Sequence, residues 1–512
     1  MPAREPHKAG ACLGSAAFLI GNRTVSRDDI SGKGRAMKAA VQRREFIQLT
    51  IGGTFACLGG LRPPAMAAEP QPLKLISPGC RRSRVKVARL YFGVPRAHYP
   101  NPAIDPVSEI HAYRAHFDNL KGELADVDFV VDELVGSAEQ VQSLAGRLAG
   151  CDGILGIHLT LHTLPAMTAL LALGRPTMIF SPPYAGHEWF NLSDIRRKTQ
   201  GENMECLLTT DYRQLAVAIR PFRAMHHLRE AKILNLAAQM PQEYVNQVRS
   251  KFGTEIKQVS RDRVLALYRA VSDQTARAEA DRWIKGAVAV VEPSAEEIFK
   301  SCKLALAFEK LMEEENATAL TVDCYGSMWR QLPAYPCIGF TRLNDMGLGG
   351  ICQSDLPCVM VHALFQGLAG RPGFVCNPTF DFATNSATLI HCLGSTRMDG
   401  PAGPAAPYKL RSIMERQEGA VPQVQMRTGQ DVTQAIFDGT TGLRYFTGRI
   451  VGTPETERGC RTKITVKLNG DAEKLWQNWT AGIHRVSCYG DLSRELGYFS
   501  RFMKLRFVNE AV

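Results

Sequence analysis

From residue 85 onward the chain alternates short apolar runs with amphipathic stretches, and this alternation limits the fold more than any other feature. Residues 85–93 (VKVARLYFG) read as a buried strand and residues 108–124 as an amphipathic helix. Strands follow over 127–131, 153–159 and 176–181, with helices over 137–148 and 164–173. Strands separated by helices cannot be joined by tight hairpins, so the spacing predicts a parallel sheet. Ligands of such sheets gather at the carboxyl ends of strands, here the segments 93–99, 158–162 and 181–187. None of them carries the glycine spacing of a phosphate cradle, so a nucleotide site is not indicated.

A second alternating region follows, with strands over 205–209, 255–260 and 319–323 and helices over 212–237, 276–289 and 294–314. The last of these opens on Ser294 with Glu297 three positions on, the signature of a capping box. His226 and His227 fall in the long helix; adjacent residues do not share a helix face, so they read as surface or core side chains. From about Pro336 the texture changes to loops and then to β. Segments 420–427, 432–437, 443–451 and 462–468 have the spacing of an antiparallel sheet or barrel. The fold class is therefore α/β: two Rossmann-like parallel-sheet domains followed by a C-terminal antiparallel, barrel-like β domain. The boundaries are drawn at 1–67, 68–185, 186–368 and 369–512.

Charge enters because it misleads. The 512 residues hold 61 Lys+Arg against 50 Asp+Glu, an excess of 11. Residues 1–67 contribute ten basic and four acidic residues, so six of the eleven excess charges lie there. That segment carries Gln42-Arg43-Arg44-Glu45-Phe46-Ile47, a weakly apolar stretch over 49–61, and then Pro63-Pro64-Ala65-Met66-Ala67-Ala68. A charged leader, a short apolar region and a small-residue cleavage site make an export signal, and the arginine pair resembles the twin-arginine type. The expectation is export to the periplasm or beyond by the twin-arginine machinery, with Met37 as the better start. The remaining excess is dispersed. Arg81-Arg82-Ser83-Arg84 and Arg196-Arg197-Lys198 lack an aromatic platform, so no nucleic-acid partner is expected. No apolar run reaches the ~18 residues of a transmembrane helix.

Of fourteen cysteines, Cys12 and Cys57 precede the expected cleavage site. The other twelve are scattered without C-x-x-C pairs and read as structural thiols. The unusual polar residues concentrate between Arg342 and Arg397, where binding residues are expected to converge.

Within and beyond that stretch, a series of motifs resembles the L-fucose isomerase/L-arabinose isomerase superfamily. They are Pro336-Cys337-Ile338-Gly339-Phe340-Thr341-Arg342-Leu343-Asn344-Asp345, Cys352-Gln353-Ser354-Asp355-Leu356-Pro357 and Leu368-Ala369-Gly370-Arg371-Pro372. Further on come Ile390-His391-Cys392, Pro407-Tyr408-Lys409-Leu410-Arg411-Ser412, Gly459-Cys460-Arg461-Thr462 and His484-Arg485-Val486-Ser487-Cys488-Tyr489-Gly490-Asp491. They occur in the family's order, and with the α/β region upstream the resemblance spans about residues 80–510. It implies aldose–ketose isomerisation of a monosaccharide or derivative through an enediol, a divalent metal, usually Mn²⁺, and a homo-oligomer.

The resemblance also assigns residues, and here this chain departs from the pattern. Two positions that carry metal-binding, acid/base carboxylates in the family are Gln353 and Asn377, while the third ligand is retained as His484. Amides offer a carbonyl oxygen but cannot take up a substrate proton. Candidate catalytic residues are thus Gln353, Asn377, Asp381 and His391, with Asp381 the best-placed stand-in carboxylate. Arg342, Asp355 and His484 are candidate substrate-binding residues, and a metal, if retained, would use His484, Gln353 and Asn377. The competing expectations are a non-catalytic carbohydrate-binding or sensing protein on the same scaffold, and altered chemistry such as elimination or epimerisation.

Overall fold

A computed structural model describes residues 83–512. The twin-arginine motif, Met37, Cys12, Cys57 and Cys80 lie outside the described residues.

The first layer runs β1 (Val85–Phe92), α1 (Pro106–Asn119), β2 (Val127–Val135), α2 (Ala138–Ala149) and β3 (Gly153–His158). It continues through α3 (Leu164–Leu171), β4 (Thr177–Ser181), α4 (Glu188–Arg196), β5 (Met204–Leu208) and α5 (Gln214–Glu230). The five strands pair in the order β2-β1-β3-β4-β5, all parallel. Strands β1, β3 and β4 are buried almost throughout, as the centre of a sheet covered on both faces requires.

The second layer holds β6 (Lys232–Leu236), α6 (Gln242–Phe252), β7 (Glu255–Gln258), α7 (Arg261–Ala270), α8 (Asp273–Gly286) and β8 (Ala289–Val290). Then come α9 (Ala295–Glu314), β9 (Ala319–Val322), α10 (Cys337–Asp345), β10 (Gly349–Cys352) and α11 (Leu356–Ala369). Its parallel sheet has the order β10-β9-β6-β7. The Ser294–Glu297 capping box is present at the start of α9.

The remainder is β11 (Phe374–Asp381), β12 (Ser386–His391), β13 (Tyr408–Arg411), β14 (Val421–Val424), β15 (Asp431–Asp438) and β16 (Gly442–Gly452). It closes with β17 (Thr462–Leu468), α12 (Ala472–Gln477), β18 (Arg485–Tyr489), α13 (Ser493–Phe502) and β19 (Arg506–Asn509). Strands pair in the order β15-β18-β11-β12-β17-β16, and β15 pairs with β16, which closes an antiparallel barrel. Its interior is filled by Phe374, Cys376, Ala387, Leu389, Phe446 and Val466. The order of two parallel α/β layers and a β-barrel is that expected from the sequence.

Three elements differ from the sequence reading. The helix expected over 212–237 ends at Glu230: Ala231 leaves it with ψ 133°, and Lys232–Leu236 becomes a central strand between β7 and β9. A five-residue apolar run carries no period of its own, so strand neighbours decided it. The strand expected to begin the second region, β5, instead extends the first sheet. The stretch after Pro336, read as loop, contains α10, nearly every residue of which is buried. Among the described residues, no helix is long and apolar enough to cross a membrane.

Candidate active site

The chain leaves β10 at Cys352 and must turn sharply to begin α11. It does so through Gln353 and Ser354, both left-handed at φ 62° and 54°. Two successive non-glycine residues in this region cost about 1–2 kcal/mol each, a strain concentrated at sites where side chains must be aimed. The turn is held by the Ser354 amide donating to the Val322 carbonyl at 3.1 Å and by its hydroxyl donating to Asn235 Oδ1 at 2.6 Å. Asp355 then caps α11, its Oδ1 accepting from the Cys358 amide at 3.0 Å.

The other oxygen of Asp355 reaches the barrel. Oδ2 lies 2.8 Å from His484 Nδ1, immediately before β18. An ionised carboxylate only accepts, so this contact places the imidazole proton on Nδ1 and leaves Nε2 with its lone pair. Burial pushes the Asp355 carboxyl up, but the hydrogen bonds from His484 and Cys358 outweigh it and hold it below its ordinary value. Asp355 thus belongs to a carboxylate–histidine pair spanning the second layer and the barrel.

Asn377 and His391 join this pair from neighbouring strands. In the β11–β18 ladder Cys376 faces Arg485, so the next register step sets Asn377 beside His484. Asn377 Oδ1 is buried and has no hydrogen-bond partner among the described residues. His391 ends β12, and its ring meets that of His484 edge-on with centroids 5.3 Å apart. Burial and the neighbouring His484 push His391 down to about 3, so it is neutral at physiological pH. Asp355, Asn377, His391 and His484 thus assemble from four places in the sequence, with Gln353 in the same turn as Asp355.

Two candidates are not part of this assembly. Asp381 lies at the far end of β11, exposed, where it accepts from the Thr384 amide in the turn to β12. Four residues of extended strand put it about 13 Å from Asn377, too far to replace a carboxylate there. Arg342 is buried on α10 and spends its guanidinium on Glu279, at 2.6 Å, and on Glu309. It ties α10 to α8 and α9, and a substrate-binding role does not fit these contacts. Asp345 is likewise consumed, accepting from the Ser395 and Thr396 hydroxyls and the Arg397 amide.

The donor set can be tested against the divalent ion that the resemblance implies. Gln353 and Asn377 are neutral, and Asp355 is occupied by His484 and a helix amide. A hard cation such as Mn²⁺ selects carboxylate oxygens, so these residues fit it poorly. The loops at the ends of β1, β3 and β4 form a separate polar cluster. There buried His158 contacts Glu188 at 3.0 Å and Ser181 at 2.9 Å, and Tyr99 packs on His187.

The turn after β10 faces the β-barrel, with the Asp355–His484 pair between them. The chain is 23% identical over 215 residues to the sulfoquinovose isomerase of Clostridium sp. (strain MSTE9). The match covers 40% of this chain and 46% of that enzyme, so it spans just under half the relative's length. No family model matches the chain.

Proposed function

We propose that the chain transfers a proton between adjacent carbons of a monosaccharide or sugar derivative, in the manner of an aldose–ketose isomerase, with His484 as the base. The observation that carries this reading is the Asp355–His484 contact. Removing a proton beside a carbonyl requires a positioned base, and the fixed tautomer leaves Nε2 available as one. His484 takes up the proton from the carbon beside the carbonyl while Asp355 stabilises the imidazolium; the adjacent hydroxyl proton passes to the carbonyl oxygen through the enediol, and the imidazolium, exchanging with solvent, returns a proton to the neighbouring carbon. Asn377 Oδ1, the amide of Gln353 and neutral His391 supply hydrogen bonds to sugar hydroxyls and to the enediol oxygens. In this proposal the acid/base work of two carboxylates passes to the Asp355–His484 pair, and a Mn²⁺ ion at Gln353 and Asn377 is dispensable.

The test is incubation of the purified chain with an aldose/ketose panel in D₂O, followed by proton NMR at the carbon beside the carbonyl. Enediol chemistry gives solvent exchange and ketose formation, insensitive to chelator, and His484→Ala abolishes both. Saturable sugar binding without exchange would instead support a non-catalytic binding protein, a reading favoured by the unpartnered Asn377 Oδ1.

Export by the twin-arginine route is part of the proposal, supported by Arg43-Arg44 and the apolar stretch after it. Conversion of both arginines to lysine is expected to retain the chain in the cytosol. Homo-oligomer formation is proposed on the resemblance alone and is read from light scattering.

A further inference from the structure

Beside the proposed active site, three further side chains of metal-binding type converge. Cys392 follows β12, Cys460 precedes β17, and Glu415 lies in the connection between β13 and β14. The β12–β17 ladder ends at the pair His391↔Thr462, and the two cysteines stand where these strands part, so both thiols emerge at one end of the barrel. The ligand atoms of Cys392, Cys460 and Glu415 all lie within 4.8 Å of one another, and neither cysteine is in a disulfide.

We propose that Cys392, Cys460 and Glu415 form a binding site for a zinc-class divalent ion. Four observations support it. Two sulfurs and one carboxylate are a borderline-soft donor set, which suits zinc rather than manganese or magnesium. Tetrahedral bonds of about 2.3 Å put neighbouring sulfurs just under ~4 Å apart, within the span these donors occupy. The carboxylate is already oriented: Tyr325 donates its hydroxyl to Glu415 Oε2 at 3.2 Å, while Cys460 Sγ donates to Oε1 at 3.0 Å. Such a phenol is the outer hydrogen bond that steers a ligating carboxylate. Finally, Cys392 is buried but Glu415 is exposed and Cys460 half-buried, which gives the ion a way in. Three protein ligands leave the fourth position open, the arrangement of ions that do chemistry rather than staple a fold. The site adjoins the proposed active site through His391, next in sequence to Cys392 and edge-on to His484.

The proposal is independent of the isomerase reading and is tested without a substrate. The full chain, kept reduced with a phosphine, is titrated with Co²⁺ and then Zn²⁺, following the thiolate-to-cobalt charge-transfer band and metal content after dialysis. About one equivalent of tetrahedral cobalt, displaced by zinc, is the expected result. Cys460→Ser and Glu415→Gln, both at accessible positions, are expected to weaken binding by about tenfold or more with unchanged melting temperature of the metal-free chain. His484→Ala is expected to bind the ion as the parent does. Absence of the thiolate band, equal affinity in Cys460→Ser, or loss of the ion in His484→Ala would each overturn it.

Discussion

A single oxygen atom separates two readings of this protein. Asp355 uses Oδ1 to cap a helix and Oδ2 to hold His484, and only the second contact concerns chemistry. Asp355→Asn distinguishes them, because asparagine caps a helix as well as aspartate does. Its side-chain amide can donate to His484 Nδ1, which moves the imidazole proton to Nε2 and removes the base. The variant is expected to keep its melting temperature but lose about 10²–10⁴-fold in solvent exchange at the sugar carbon. Arg342 is the opposite case. Arg342→Ala strands Glu309, while Glu279 keeps Arg282 and Trp283, and is expected to lower unfolding free energy by about 3 kcal/mol, read from urea midpoints, while sugar affinity stays unchanged. The sequence shows that Asp355 and Arg342 lie in motif-like stretches. It does not show which partner each finds, because Glu279, Glu309 and His484 are dozens of residues away.

Among the elements, α11 governs the site because Asp355 is its cap. The helix is buried on nearly every side and packs against α5 where Gly367 meets Ala224. A Cβ on Gly367 would stand 2.6 Å from the Ala224 Cα, so the two backbones touch only because that atom is missing. Gly367→Ala is expected to cost about 1–3 kcal/mol from overpacking, despite the gain of up to about 1 kcal/mol in helix propensity. Differential scanning calorimetry measures the loss, and the proton-exchange assay reads any displacement of Asp355. Elements with a strong period of their own were legible in the sequence: β17 spans the 462–468 expected for it, and the cap of α9 is the one read from Ser294 and Glu297. Those without a period were not. Lys232–Leu236 and Cys337–Asp345 took their states from the neighbours they pack against.

At the scale of the whole molecule, buried titratable groups make stability depend on pH over overlapping windows, one set by histidines, including His391, and one by carboxylates. Burial pushes His362, on α11, down from 6.5 to about 4, against a weaker hydrogen bond with Gln366. Between these values the unfolded chain holds a proton that the native chain does not, so stability falls as pH drops from about 6.5 to about 4. Burial pushes Asp152 up, but hydrogen bonds from His226, Arg229 and the Lys86 amide outweigh it and lower the carboxyl from 3.8 to about 2. Its contribution is complete above about 3.8 and is lost as pH falls towards 2. Urea midpoints from pH 8 to pH 2 are expected to show both limbs. His362→Leu should make the upper one shallower, and Asp152→Asn should make the lower one shallower and reduce the neutral plateau by about 2 kcal/mol.

The sequence by itself determined the order of layers and the chemical identity of the turn after β10, because apolar periodicity and side-chain type are local properties. It also set amides at Gln353 and Asn377, where the resemblance implies carboxylates. Tertiary structure alone decided what stands beside them. Asp355 and His484 are 129 residues apart in the chain, and Cys392, Glu415 and Cys460 share no spacing that a motif would reveal. Their approach follows from strand register and barrel closure, which depend on how the whole chain packs and not on any one segment of it.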